Sequence, residues 1–249
     1  MIRLCSINDK IFIRGPFMVR LLVLIIVALL PSLAIAKDRY ALVIGNDAYL
    51  EVSVLEKAVA DAEAVEAELA ALGFETILAL NVGRRDLNIA IADFTQKLSP
   101  GDTAVVFFAG HGVEIDGENY LLPTDIIAPS DVQKGLISSE SVALSSLLER
   151  VRRTGARTTV AFIDACRDNP FATKAGRSIG SARGLARIAA PEGTFIVYSA
   201  GAGQQALDKL DDEDTNANSV FTRNLLPKLS QPGLEIRDLV SQLRLEVRD

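Results

Sequence analysis

Beyond residue 36 the chain contains one histidine, His111, and one cysteine, Cys166, about 55 residues apart. A thiol nucleophile needs a proton-transfer partner near it in space, not in sequence, and these two side-chain types supply that pair. His111 stands between Gly110 and Gly112, where backbone can approach a substrate closely and the N–H that follows is placed to donate. Each residue also has a plainer reading, His111 as a hydrogen-bonded turn residue and Cys166 as a small buried hydrophobe. Taken as a pair they point to thiol chemistry, provided the fold brings them together.

The elements around them are of the kind that would. His111 closes the β-forming run Ala104-Val105-Val106-Phe107-Phe108-Ala109-Gly110, and Cys166 closes Thr159-Val160-Ala161-Phe162-Ile163-Asp164-Ala165. Tyr40-Ala41-Leu42-Val43-Ile44-Gly45 is a continuous apolar run of the sort found in strands buried on both faces. Val59, Ala62, Val65, Leu69 and Leu72 recur at helical spacing before Gly73, and Leu87, Ile91, Phe94 and Leu98 repeat the pattern after a strand at Thr76-Ile77-Leu78. This βαβαβ order predicts an α/β fold with a mostly parallel central sheet flanked by helices. In such sheets ligands bind beyond the carboxyl ends of the strands, where both His111 and Cys166 fall.

Further along, a hairpin is expected to turn at Asp116-Gly117, a helix to run from Val142 to Arg153, a strand to cover Thr194 to Ser199, and helices to span Val220 to Leu229 and Leu234 to Val247. Residues 167–192 are rich in glycine, alanine, serine and arginine without a sustained period, and read as a mobile loop. A polar acidic loop spans Ala200 to Ser219, with Asp211-Asp212-Glu213-Asp214 read as a solvated stretch.

The first 36 residues have the plan of an export signal: Arg14 and Arg20, the apolar run Leu21 to Leu30, Pro31, then Ala34-Ile35-Ala36 before a cleavage point at Lys37. An apolar core of about ten residues is short for a bilayer span, so no stable membrane anchor is expected. The remaining residues, 37–249, suit one domain, and the expected location is the periplasm or the medium outside a bacterial cell. A net charge of −6 without a long basic run gives no footprint for nucleic acid and suits basic substrates. One cysteine in an oxidising compartment cannot form an internal disulfide, so its presence there needs another reason.

Phe108-Ala109-Gly110-His111-Gly112 and Asp164-Ala165-Cys166-Arg167-Asp168 resemble the histidine and cysteine motifs of the caspase-like peptidases, in particular the metacaspase and bacterial orthocaspase-like branch. The resemblance runs from Tyr40 to the helix containing Phe221-Thr222 and implies the caspase-hemoglobinase sandwich. It also implies that Cys166 attacks the scissile carbonyl, that His111 protonates the leaving amine, and that the backbone N–H groups of Gly112 and Cys166 hold the oxyanion. Asp164 and Asp61 would line the primary specificity pocket and favour arginine or lysine before the cleaved bond, with Ser199 in its wall alongside Tyr198 and the loop holding Gln204 and Asp208. The plainer readings are an exposed helix residue for Asp61 and a backbone-satisfying carboxylate for Asp164. Ala58 and Ala109 depart from the polar pocket residues of some metacaspases.

Many caspase relatives mature by cutting the segment between the cysteine strand and the next, and here that segment offers Lys174, Arg177, Arg183 and Arg187 as sites for self-processing. Many metacaspases also need calcium, but the corresponding stretch Leu136-Ile137-Ser138-Ser139-Glu140-Ser141 has one carboxylate, thin for a cation that takes six or more oxygens, so no cofactor and no calcium requirement are expected. The same residues leave two alternatives open. One is a non-proteolytic caspase-like binding or scaffolding module; the other is a thiol transpeptidase, in which an amine resolves the thioester.

Overall fold

In a computed structural model, residues 38–127, 134–166, 170–171, 185–186, 188–199 and 213–248 are described. The 1–36 leader, Lys174, Arg177, Arg183, Arg187, Gln204, Asp208 and the side chain of Cys166 lie outside that description. Lys37–Asp249 forms one unit.

Five parallel strands make the main sheet, in the order β2 (Glu75–Leu80), β1 (Arg39–Gly45), β3 (Thr103–Ile115), β6 (Thr158–Cys166), β7 (Thr194–Tyr198). Their apolar side chains alternate between two separate cores. Leu42, Ile44, Val106, Phe108 and Ile163 meet helices α2 (Arg84–Lys97) and α4 (Leu144–Arg153) on one face. Ala41, Val43, Val105, Phe107 and Phe162 meet α1 (Ala58–Ala71), α5 (Val220–Leu229) and α6 (Ile236–Arg248) on the other. A strand buried on both faces has no polar side to show, which is why these segments read as unbroken apolar runs. Phe94, Phe107 and Phe108 are fully buried, each contributing roughly 1.5–3 kcal/mol over an exposed position.

Two details of this frame position the site. The first is how closely α1 lies on the end of β1: a Cβ on Gly45 would stand 2.5 Å from the Ala58 carbonyl oxygen and 2.6 Å from the Ala62 Cβ. Glycine and two alanines let the first turn of α1, with Asp61, settle against the sheet. Asp47 anchors that turn, its carboxylate accepting the N–H of Ala58 at 2.8 Å and of Val59 at 3.0 Å. At the far end Gly73 has φ +82, and the Gly73 and Phe74 N–H groups bond back to Ala70 and Leu69 in a Schellman arrangement.

The second detail is a change of partner along β3. Thr103 to His111 pair with β6, whereas Gly112 to Ile115 pair antiparallel with β4 (Glu118–Leu121). Asp116 and Gly117, at φ +52 and +87, make the expected tight turn of that hairpin. The helix expected from Val142 begins later, because Val142 and Ala143 form β5 against β4 and α4 starts at Leu144. Glu118 accepts the Ser145 N–H at 3.3 Å and its hydroxyl, a carboxylate at the start of that helix. A short helix, α3 (Lys134–Glu140), occupies the stretch compared above with a calcium site.

Candidate active site

His111 and Cys166 are register partners at the carboxyl ends of β3 and β6, the last pair of that parallel ladder. The strands therefore bring the two backbones side by side, as their sequence positions imply. His111 is 2 % exposed and is held by Tyr49 and Ser53. Its N–H donates to the Tyr49 hydroxyl at 2.7 Å, and its ring lies 4.6 Å from the Tyr49 ring at a tilt of 53°. Its Nε2 sits 2.7 Å from the Ser53 carbonyl oxygen and 3.3 Å from the Ser53 hydroxyl. A carbonyl only accepts, so Nε2 carries a proton, and whenever the ring is neutral its lone pair is at Nδ1.

The loop that presents Ser53 is itself held. Asn81 accepts the N–H groups of Asp47 and Ala48, Asn46 bonds Val82 and Leu122, and Tyr49 donates to the Leu122 carbonyl at 3.2 Å. Gly110 allows Tyr49 its place: a Cβ there would stand 2.7 Å from the tyrosine oxygen and 2.9 Å from Phe108 Cζ, at φ +157. Because Leu122 N–H bonds the His111 carbonyl, Gly112 and Leu121 form a non-hydrogen-bonded pair, which turns the Gly112 N–H away from β4 and toward the β6 side.

Asp61 and Asp164 do come together. Asp61 is 1 % exposed and accepts the Ser219 N–H at 2.9 Å; Asp164 accepts the Ser219 hydroxyl at 2.7 Å. Ser219 thus joins a residue of α1 to one of β6, while its oxygen also caps α5 by accepting the Thr222 N–H at 3.0 Å. Burial, and after it the Asp164 carboxylate, pushes the Asp61 carboxyl up to about 7; the Ser219 N–H and the side chains of Asn218 and Ser219 pull the other way. Asp61 is not on an exposed helix face, and Asp164 is reached by the hydroxyls of Ser219 and, at 3.5 Å, Thr222.

Other expectations are placed differently. Ser199 is buried, its N–H bonded to the Ile163 carbonyl at 3.1 Å, so it extends β7 level with Asp164. Tyr198 packs against the opposite core and takes a hydrogen bond from Asn119 at 3.1 Å. Ala58 and Ala109 are buried in the core under α1. Asp214, read as part of a solvated stretch, is instead clamped by Arg223 at 2.5 and 3.1 Å and lies 3.9 Å from the buried Lys57. Tyr49, Ser53, Lys57 and Ser219 were not singled out from sequence; only Ser219 left a trace there, as a capping residue before an apolar helix. Among the described residues no group of three or more histidine, cysteine, aspartate or glutamate side chains is gathered to hold a metal ion, and no helix is long and apolar enough to cross a membrane.

A helix-flanked parallel sheet with histidine and cysteine paired at its carboxyl edge defines the class of caspase-like, cysteine-type endopeptidase domains. The chain belongs to the caspase domain family, Peptidase C14, whose family model matches residues 38–249. It is also 27% identical over 133 residues to the human mucosa-associated lymphoid tissue lymphoma translocation protein 1 and, equally, to its mouse homolog. Those matches take in 53% of this chain and 15% of each relative's length.

Proposed function

We propose that this protein is an exported cysteine endopeptidase that cleaves after arginine or lysine by means of a His111–Cys166 dyad. The observation that carries the reading is the register of His111 with Cys166, next to a buried pair of carboxylates. With Nε2–H held by the Ser53 carbonyl, Nδ1 takes the proton of the Cys166 thiol, and the thiolate adds to the scissile carbonyl. The oxyanion is received by the N–H groups of Gly112 and Cys166, and the imidazolium returns its proton to the leaving amine. Water then hydrolyses the thioester. The Ser53 carbonyl stabilises the transient imidazolium and keeps the ring in place, so the base is oriented by backbone and no third carboxylate is needed.

The specificity reading rests on chemistry. Two carboxylates gathered on Ser219 are the donor-poor, acidic surroundings that a guanidinium or ammonium before the scissile bond can bind through charge-assisted hydrogen bonds. Ser199 would stand in the wall of that pocket. On this reading the enzyme can also process itself at Lys174, Arg177, Arg183 or Arg187, works without calcium, and acts outside the cytoplasm after removal of residues 1–36. The test is a panel of fluorogenic peptides with arginine, lysine, aspartate or alanine before the bond, run with wild type and Cys166→Ala in calcium and in chelator. Cysteine-dependent turnover of the arginine and lysine peptides in both buffers is expected. Preference for aspartate, or turnover that survives Cys166→Ala, would overturn the reading.

A further inference from the structure

We propose that Asn119 is a positioning residue for the oxyanion site: by holding Ala186 it keeps Leu185 against Gly112, and so keeps the Gly112 N–H aimed at the oxygen that gains charge in the reaction. The inference rests on the peptidase mechanism proposed above, in which Gly112 supplies one of the two N–H donors, and adds to it two residues outside the dyad and the pocket.

Asn119 lies on β4, fully buried and 67 positions ahead of the residue it holds. A side-chain amide offers a donor and an acceptor side by side, as a backbone peptide does. Here both are spent on one residue: the Asn119 carbonyl accepts the Ala186 N–H at 2.7 Å, and its amide donates to the Ala186 carbonyl at 2.8 Å. The amide also donates to the Tyr198 hydroxyl at 3.1 Å. This side chain therefore ties β4 both to the end of β7 and to the chain at residues 185–186. Leu185 is 3 % exposed and joins the core of Phe108, Leu121, Ile163 and Ala165, against which Ile188 also packs.

Leu185 is held over Gly112. A Cβ on Gly112 would stand 3.0 Å from the Ala165 Cβ and 3.1 Å from Leu185 Cδ2, so these two side chains close over the bare Cα. Ala165 is the β6 residue just before Cys166, whose N–H is the second proposed donor. The peptide that joins His111 to Gly112 is fixed at its carbonyl by the Leu122 N–H at 3.0 Å, and Leu185 bears on its other end. A peptide held at both ends has little room to tilt, and its N–H keeps one direction as charge develops, which is what a preorganised donor requires. Loss of the Asn119 amide would leave the Ala186 backbone to water, let Leu185 withdraw from Gly112, and free that peptide to turn.

Steady-state kinetics on a fluorogenic arginine peptide test this, together with inhibition by a peptide ending in argininal and by the matching argininol. With the aldehyde, the Cys166 sulfur bonds to the carbonyl carbon, the C=O π pair moves onto oxygen and the thiol proton passes to His111; the alcohol binds without that step. Asn119→Ala and Leu185→Ala should each lower kcat about tenfold with KM within about twofold, less than outright loss of an oxyanion donor costs. Each should weaken the aldehyde about tenfold and leave the alcohol within about twofold. The double variant should also lose about tenfold and not about a hundredfold, since both residues act through one contact. Leu185→Met, which refills the volume, should return kcat to within about threefold of wild type. An unchanged kcat in Asn119→Ala, losses that multiply in the double variant, or equal weakening of aldehyde and alcohol would overturn the inference. If Asn119→Ala does not fold, Leu185→Ala and Leu185→Met decide, and equal kcat in those two would overturn it. Absence of cysteine-dependent turnover of the arginine peptide by wild type would instead overturn the reading beneath it.

Discussion

Asp61 should make the folded protein less stable than it need be, and the cost can be calculated. Its carboxyl has an ordinary value of 3.8 and is pushed to about 7 in the fold. Below about pH 4 the group is protonated in both folded and unfolded chains, and nothing is lost. Between about 4 and 7 the unfolded chain has released the proton that the folded chain still holds, so the native state binds more protons and rising pH favours unfolding. Above 7 the penalty is complete. At 1.36 kcal/mol per pH unit it comes to about 4 kcal/mol. Asp61→Asn keeps an oxygen to accept the Ser219 N–H and presents an amide to Asp164, with no charge to bury. We expect this variant, in a Cys166→Ala background, to be more stable than its parent at pH 8 by up to about 4 kcal/mol in urea unfolding, about 2 kcal/mol more stable at pH 5.5, and level with it at pH 4. If the proposed basic specificity holds, the same substitution in the active enzyme should weaken turnover of arginine peptides. A gain that is equal at pH 4 and pH 8 would show that the variant acts by packing or solvation and not through the buried charge. A loss at pH 8 would show that Asp61 is stabilised as a carboxylate, and would refute the reasoning.

Three further outcomes follow from the geometry around the dyad. Tyr49→Phe keeps the ring against His111 but strands its buried N–H, and should cost about 1–3 kcal/mol and lower kcat more than it raises KM, as read by unfolding and steady-state kinetics. Gly110→Ala places a methyl group within 2.7 Å of the Tyr49 oxygen; turnover should fall at least about tenfold, with loss of the His111–Tyr49 contact in a crystal structure of the variant. Asn119→Ala removes an amide that holds Ala186 through both its N–H, at 2.7 Å, and its carbonyl, at 2.8 Å. Hydrogen exchange at Leu185 and Ala186 should then rise by about tenfold or more, while exchange in α1 is unchanged.

The sequence disclosed the parts of this protein that depend on periodicity and hid those that depend on long-range contact. The apolar runs of β1, β3 and β6 betrayed a sheet covered on both faces, and that alone placed residues 111 and 166 at the same edge. α4 starts two residues later than its periodicity implies because Val142 and Ala143 are set by pairing with Tyr120 and Leu121, contacts with no local signature. Asp214 sits in a run of acidic residues that resembles a solvated loop, yet Arg223, nine positions later, and Lys57, far earlier, draw it into the fold. Ser53 was invisible for a deeper reason: it acts through its carbonyl, which every residue has. Ser219 stands where a helix cap would, just before an apolar helix, but its second bond, to a carboxylate 55 positions away, has no local signature.

That bond also orders events during synthesis. A chain emerges from the ribosome amino end first and its domains fold in that direction, so Asp61, His111 and Cys166 are all present before Ser219 and α5 exist. The hydrogen bond from Ser219 to Asp61 spans 158 positions. Until it forms, the two carboxylates lack the residue that sits between them. On the proposed function, a nascent chain therefore holds His111 and Cys166 while the pocket for a basic side chain is still unbuilt, and completion of the carboxyl-terminal helices is the moment at which selectivity would begin.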